Sequence, residues 1–261
     1  MGAGHVHALY VPGDSRLHRT APQCKVAATF LFVLAVVSTP REAFGAFGAC
    51  ALVLAAVAAI AGLPAGMVVR RLVIEVPFLA FALFLPFVGQ GPQVEVAGLS
   101  LSVEGLWGAW NIIAKGTLGV AATVIMAATT PVPEILHGLE RLRLPRVVTA
   151  IAGFMVRYLD LTAEEARRMA IARRSRGHDP RWLWQGRAVA ASAGTLFIRS
   201  FERGERVHLA MVSRGYDGTL PSFGTAPATR AEWAWALAVP AVAAVAAVAA
   251  ATSVAAWGWV T

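Results

Sequence analysis

The chain has 261 residues, 57% of them apolar and 15% charged, with a mean hydropathy of +0.61 and a formal charge of +8. That balance is too oily for a soluble globular domain, and it excludes a disordered chain and a secreted disulfide scaffold. Long Ala/Val/Leu blocks without period-two alternation also exclude a transmembrane β-barrel, leaving an all-α polytopic membrane protein.

Residues 1–24 are polar and broken by Gly2, Gly4, Pro12, Gly13 and Pro22, with no apolar core of a signal peptide. A first oily run covers Val26 to Val37 and a second Ala43 to Leu63, so a tight helical hairpin is expected. The third run, Leu72 to Val88, carries Pro77 and Pro86 and predicts a kinked helix. Gly89 to Ser102 reads as a loop. A fourth run extends from about Leu106 to Thr130, interrupted by Asn111 and Lys115, and the last from Trp233 to Trp259. These five runs give about five transmembrane helices.

Residues 131–230 differ in kind, holding 16 of the 23 basic residues and 9 of the 15 acidic ones, so they predict a water-facing domain. The organisation expected is 1–130 for the tail and four spans, 131–230 for that domain, and 231–261 for the last span. Pro145 to Leu161, moderately apolar and bracketed by Arg146 and Arg157, is expected at the membrane interface.

Loops rich in Lys and Arg stay cytoplasmic. Arg16, Arg19, Lys25, Arg70 and Arg71 lie on one side, with the Arg-rich domain, while the loop before Gly105 carries Glu95 and Glu104. The expected topology has an inside N-terminus and an outside C-terminus. Arg41, beside Glu42 in an outer turn, and Lys115, which can snorkel outward, run against it. Indoles favour the headgroup region, so Trp107, Trp110, Trp257 and Trp259 are placed at the outer rim and Trp233 and Trp235 at the inner one. Trp182 and Trp184 fit either the inner leaflet or the core of the water-facing domain.

The functional signal is a repeat. Ile171-Ala-Arg-Arg-Ser-Arg-Gly-His-Asp179 matches Leu209-Ala-Met-Val-Ser-Arg-Gly-Tyr-Asp217 at five of nine positions. Both copies are expected to end helices, because helical periodicity precedes each and polar turn residues follow each Gly. In the second copy Phe197, Phe201, Gly204, His208, Met211 and Val212 share a face; in the first, Leu159, Thr162, Ala166 and Met169 make a thinner stripe, with Glu164 and Arg168 paired at i, i+4. Ser-Arg-Gly at a helix C-terminus makes a compact docking tip: the Gly turns the chain in the left-handed region and the guanidinium presents a planar fork to a partner. Two tips, Ser175-Arg176-Gly177 and Ser213-Arg214-Gly215, call for two similar receptor sites. Arg167, Arg168, Arg173, Arg174, Arg181 and Arg187 read as solvated or lipid-facing charges.

With these residues in view, the chain resembles the transmembrane T component of energy-coupling factor (ECF) transporters, most closely its CbiQ branch from cobalt uptake. The resemblance rests on Asp14-Ser-Arg-Leu-His-Arg-Thr-Ala-Pro-Gln-Cys-Lys-Val26, on Thr129-Thr-Pro-Val-Pro-Glu-Ile-Leu136 through Leu142-Arg-Leu-Pro145, and on the two Arg-centred motifs. It implies a cytoplasmic coupling-helix domain whose motifs dock into a pair of ABC ATPases. It implies further that the spans hold a substrate-binding S component, CbiM-like if the cargo is cobalt. Ser175 stands where the family often has Ala. The T component implied is a scaffold that couples ATP hydrolysis by its partners to movement of the S component; nickel or a vitamin are alternative cargoes.

No G-x-x-x-x-G-K-[ST] phosphate loop is present, so hydrolysis is assigned to the partners and the chain is expected to be no enzyme and to need no cofactor. A polytopic membrane enzyme would need clustered acids or histidines. His178-Asp179 and Tyr216-Asp217 follow helix-ending glycines, where Asp makes turn hydrogen bonds. A lone metal permease would use His5-x-His7 as entry ligands, but two histidines in a tail fit a plain tail better, and no metal site is expected. Cys24 and Cys50 read as small apolar fillers, His18, His137 and His208 as structural or solvated, and Glu75 and Lys115 as the only ionisable groups within the spans. Nucleic acid is not an expected partner, because the basic residues follow membrane topology.

Overall fold

The computed structural model describes residues 9–89, 92–96, 99–178, 186–218 and 228–257. His5, His7, Asp179, Trp182, Trp184 and Trp259 lie outside them, as does the side chain of Trp257. The chain forms two compact units. One contains α1 (Arg16–Arg19), α2 (Pro22–Ser38), α3 (Phe44–Ile60), α4 (Ala65–Arg71), α5 (Val76–Val88), α6 (Val103–Thr129), α7 (Val132–Arg141) and the last helix, α10 (Arg230–Trp257). The other contains α8 (Arg146–Ser175) and α9 (Arg187–Val212). The architecture is that of an all-α polytopic membrane protein.

Among the described residues, three stretches are long and apolar enough to cross a bilayer: Ala65–Val88, Val103–Thr129 and Arg230–Thr252. At 17 residues each, α2 and α3 span about 25 Å, a few ångströms short of the hydrocarbon core. α2 starts on Pro22, whose fixed φ suits a first helical turn. It packs against α10, α6 and α7. Phe32 and Val36 of α2, Phe47, Cys50 and Leu54 of α3, Ala114, Leu118, Ala122 and Ile125 of α6, and Ala243 of α10 form the core. In lipid there is no hydrophobic gain from pairing helices, so small residues that allow close van der Waals contact do the packing. Cys24 and Cys50 are free and buried.

The hairpin expectation needs correction. A short turn joins α2 and α3, yet the two barely touch along their backbones, and both are held by α6 and α10. The third run differs too. Its helix begins earlier, at Ala65, and passes through a 3-10 turn at Leu72–Glu75 before α5. Pro77 explains the break, because it offers no N–H and its ring crowds the carbonyl four residues back. Pro86 lies inside α5 without ending it. The expected loop at 89–102 contains an antiparallel pair, β1 (Gln93–Val96) with β2 (Leu99–Ser102), in register Gln93 to Ser102. Four-residue strands are too short for alternation to reveal.

α5 meets α6 at a glycine notch, where a methyl on Gly105 would run into the Leu85 carbonyl and the Pro86 backbone. Its exposed Phe78, Phe81 and Phe84 suit a lipid-facing side. Two lysines fasten α2 to α6 reciprocally. Lys25 Nζ donates to the Thr129 carbonyl, the last of α6, at 3.1 Å and to the His18 carbonyl at 3.4 Å. Lys115 Nζ of α6 donates to the Val37 carbonyl near the end of α2 at 2.7 Å. Each helix supplies the cation for the negative end of the other, which requires them to run antiparallel.

Two of the stretches that carry the family resemblance, 14–26 and 129–142, come together at one end of this unit. Ser15 caps α1, and the His18 ring bridges Ser15 Oγ (2.7 Å) and the Val11 carbonyl (3.0 Å). The Val11 N–H donates to the Ala128 carbonyl. α7 lies close on α2 because Gly138 has no side chain to strike Pro22 and Gln23. Beyond α7, Arg143 takes φ 70°, the one non-glycine residue with positive φ among the described residues. At the opposite end, Arg41 pairs with Glu42 (2.9 Å) and Glu104 (3.0 Å) and lies over the Trp107 ring. Trp110 Nε1 donates to the Arg41 carbonyl. This ion-pairing is how an arginine is accommodated in a turn where the charge rule disfavours one.

Candidate functional site

α8 is a single 30-residue helix, so the segment Pro145 to Leu161 is its first half and continuous with the first repeat copy. Both copies do end helices, and they end them alike. The His178 N–H donates to the Arg173 carbonyl (3.1 Å) and the Gly177 N–H to the Arg174 carbonyl (3.0 Å). In the second copy Tyr216 donates to Met211 and Gly215 to Val212, both at 3.0 Å. These are two Schellman caps, and the glycines sit at φ +77° and +85°, as the cap demands.

Both serines are exposed, and their hydroxyl protons are used within their own helices. Ser175 Oγ donates to the Ala172 carbonyl and Ser213 Oγ to the Ala210 carbonyl, each at 3.0 Å, so both hydroxyls fold back on their own helices. A last-turn carbonyl that would otherwise face water is thereby satisfied. What remains at each tip is the guanidinium. Arg176 and Arg214 are exposed and make no side-chain hydrogen bond or ion pair among the described residues.

The stripe expected on α9 is exposed at Phe197, Phe201, Gly204 and His208, whereas on α8 Thr162, Ala166 and Met169 are half-buried and Leu159 is exposed. Phe197 and Phe201 on α9 are 71% and 60% exposed, and Leu159 on α8 is 52% exposed, so these residues do not join α8 to α9. The two helices are joined instead through a residue that periodicity did not single out. Glu165 is buried and accepts from Arg199 Nη1 (3.1 Å) and Arg203 Nη2 (3.0 Å). Arg203 and Arg199 hold its carboxyl below the usual glutamate range. Its signal in the sequence was a second acid beside Glu164 facing basic residues one repeat later. The expected Glu164–Arg168 pair is corrected: Glu164 forms a two-bond fork with Arg167 at i+3, at 2.8 and 2.9 Å, while Arg168 acts on it only at longer range.

Glu75 and Lys115 do not meet. Thr117 Oγ1 donates to Glu75 Oε1 at 3.2 Å, and the carboxylate rests against Gly116. His18 is structural, as expected, and His208 is exposed. Among the described residues no group of three His, Cys, Asp or Glu gathers in a way that would hold a metal ion.

A family model described as the cobalt transport protein CbiQ matches residues 13–223, from the N-terminal knot through both tips. The chain belongs to the CbiQ family. Over 233 residues it is 28% identical to the cobalt transport protein CbiQ of Rhodobacter capsulatus, covering 87% of this chain and 91% of that one. It is 27% identical over 228 residues to the energy-coupling factor transporter transmembrane protein EcfT of Bacillus selenitireducens, 80% of this chain and 82% of that one. A stretch of 109 residues, 42% of this chain, is 27% identical to part of a protein named as a fused cobalt transport protein, CbiMQ, in Methanocorpusculum labreanum, of which it covers 18%. This CbiQ-family chain is thus a multi-pass membrane protein similar to transmembrane components of ECF transporters.

Proposed function

We propose that this chain is the scaffold subunit of an ATP-driven ECF importer. It would couple ATP hydrolysis by a pair of ABC ATPases to movement of a substrate-binding S component, with cobalt as the cargo and a CbiM-like S component. The observation that carries the reading is the pair of Schellman-capped tips at a 38-residue spacing, alike in their cap bonds and each presenting an exposed guanidinium. Two equal docking elements suit two homologous ATPases, and a guanidinium suits a carboxylate or carbonyl in a groove. Lys and Arg placement supports an inner-membrane topology with the N-terminus and residues 131–230 in the cytoplasm. The relatives' names support cobalt as the cargo.

The test is co-purification, in mild detergent, of the chain with a co-expressed energy-coupling ATPase pair and a CbiM-like protein. Removing one partner of a desolvated charged hydrogen bond costs about 2–5 kcal/mol. Arg176→Ala and Arg214→Ala should therefore each weaken ATPase capture at least tenfold, and the double variant should abolish it. Failure of the folded wild type to capture the ATPases would sink the docking role. Metal-dependent uptake that persists without any ATPase would sink the energy source.

A further inference from the structure

The contact between α8 and α9 has a symmetry that the tip motif alone does not reveal. Arg203 lies 38 residues after Glu165, which is also the offset between Arg176 and Arg214. The same offset relates two identical pairs near the contact, Glu164 with Glu202 and Arg168 with Arg206, so the repeat extends from the tips back to this point. A contact between equivalent positions of two copies lies on the axis relating them, as in an isologous interface. At the axis the copies carry opposite charges, Glu165 in one and Arg203 in the other, as they do again two residues on, at Arg167 and Glu205.

We propose that the Glu165–Arg203 ion pair is the pivot of the two helices, a positioning contact that fixes their crossing angle and so the separation of the Arg176 and Arg214 tips. The proposal rests on the docking reading above and deepens it. Each tip lies 11 residues beyond its half of the pivot, an arm of about 16 Å at helical rise. Equal arms make the tips move symmetrically. A change of about 10° in crossing angle displaces one tip from the other by about 3 Å, so a loose pivot would absorb a motion that a firm one transmits. Burial makes the contact firm: Glu165 is 7% exposed, and the Arg203 side chain is half as exposed as that of Arg199, at 28% against 56%. Arg199 sits off the axis and braces the carboxylate. Half-buried residues flank the pair on each helix, Thr162, Ala166 and Met169 on α8 and Leu196, Val207 and Met211 on α9, while the ion pair supplies the buried charge.

The experiment is double electron–electron resonance on the full chain in nanodiscs, alone and with the ATPase pair. Spin labels are placed at Ala172→Cys and Ala210→Cys, exposed and equivalent in the repeat, while the buried Cys24 and Cys50 stay in place. Glu165→Gln and Arg203→Gln should each at least double the width of the distance distribution, whereas Arg199→Gln should leave it near the wild-type width. The charge-inverted variant, Glu165→Arg with Arg199→Glu and Arg203→Glu, should restore the narrow distribution, which a merely folding-related defect would not do. The proposal is overturned if Glu165→Gln and Arg203→Gln keep the wild-type width, or if the inverted variant stays as broad as Glu165→Gln. ATPase capture is read on the same samples. Its absence in the wild type defeats the docking reading, while the widths measured on the free chain still decide the pivot.

Discussion

Replacing Lys25 with Met tests the reciprocal fastening of α2 and α6. Lys25 is 5% exposed, and its ammonium caps the last carbonyl of α6. A hydrogen bond to a charged group contributes about 1.5–3 kcal/mol, and the longer bond to His18 adds little. Met preserves the unbranched stem and removes the cost of burying the ammonium, which offsets part of that loss; what remains is a carbonyl with no water to replace its donor. The net cost is about 1–2 kcal/mol, equivalent to a fall in Tm of about 2–8 °C for a protein of this size. Lys115 makes the corresponding bond in an exposed position, so Lys115→Met should cost under about 1 kcal/mol. The two lysines are 12 residues apart along α2, counted from Lys25 to Val37, or about 18 Å. Their effects should therefore add. Thermal unfolding of the full chain in nanodiscs, followed by intrinsic fluorescence, gives the comparison. Lys25→Met melting at or above wild type, or Lys115→Met proving the more damaging, would refute the argument.

Gly105→Ala should sharply reduce folded yield, because the new methyl meets helix backbone that cannot step aside, whereas Gly119→Ala, with nothing within 4 Å, should be neutral or slightly stabilising by size-exclusion yield and Tm. Gly177→Ala and Gly215→Ala have open space around the added methyl but force a left-handed alanine, at about 1–2 kcal/mol each. Amide exchange should accelerate in the last turns of α8 and α9 without a matching change in the membrane unit. The Glu165 carboxyl lies below its ordinary value of 4.5, so its contribution is complete above that value and is lost as pH falls through the folded pKa. The tip-to-tip distribution should stay narrow from neutral pH down to about 5 and broaden below about 4. A width that changes between pH 8 and 6 instead would implicate some other group.

Membrane character, helix order and the two helix ends at the repeat were legible because each leaves a local mark: a run of apolar residues, or a Gly after Ser-Arg. The Schellman caps follow from Gly177 and Gly215 alone. The bonds of Ser175 and Ser213 to their own carbonyls were not legible, since the sequence cannot say whether a hydroxyl near a helix end turns back. Glu165 escaped notice for a different reason. Its burial is set by α9, 34 to 38 residues away, and on its own helix it sits beside a more conspicuous pair. Lys25 read as one of the inside charges and Lys115 as an exception that snorkels outward; their carbonyl partners on another helix are tertiary facts. The short strands at 93–102 fell below the length at which alternation becomes visible.

Arg143 follows α7 with a φ that L-residues tolerate only within a small island of backbone space. A glycine would occupy that position more easily and would also let it swing, since glycine reaches both signs of φ with similar ease. An arginine in the left-handed well has one narrow basin where glycine has two, so Arg143→Gly would loosen the local backbone while relieving its strain.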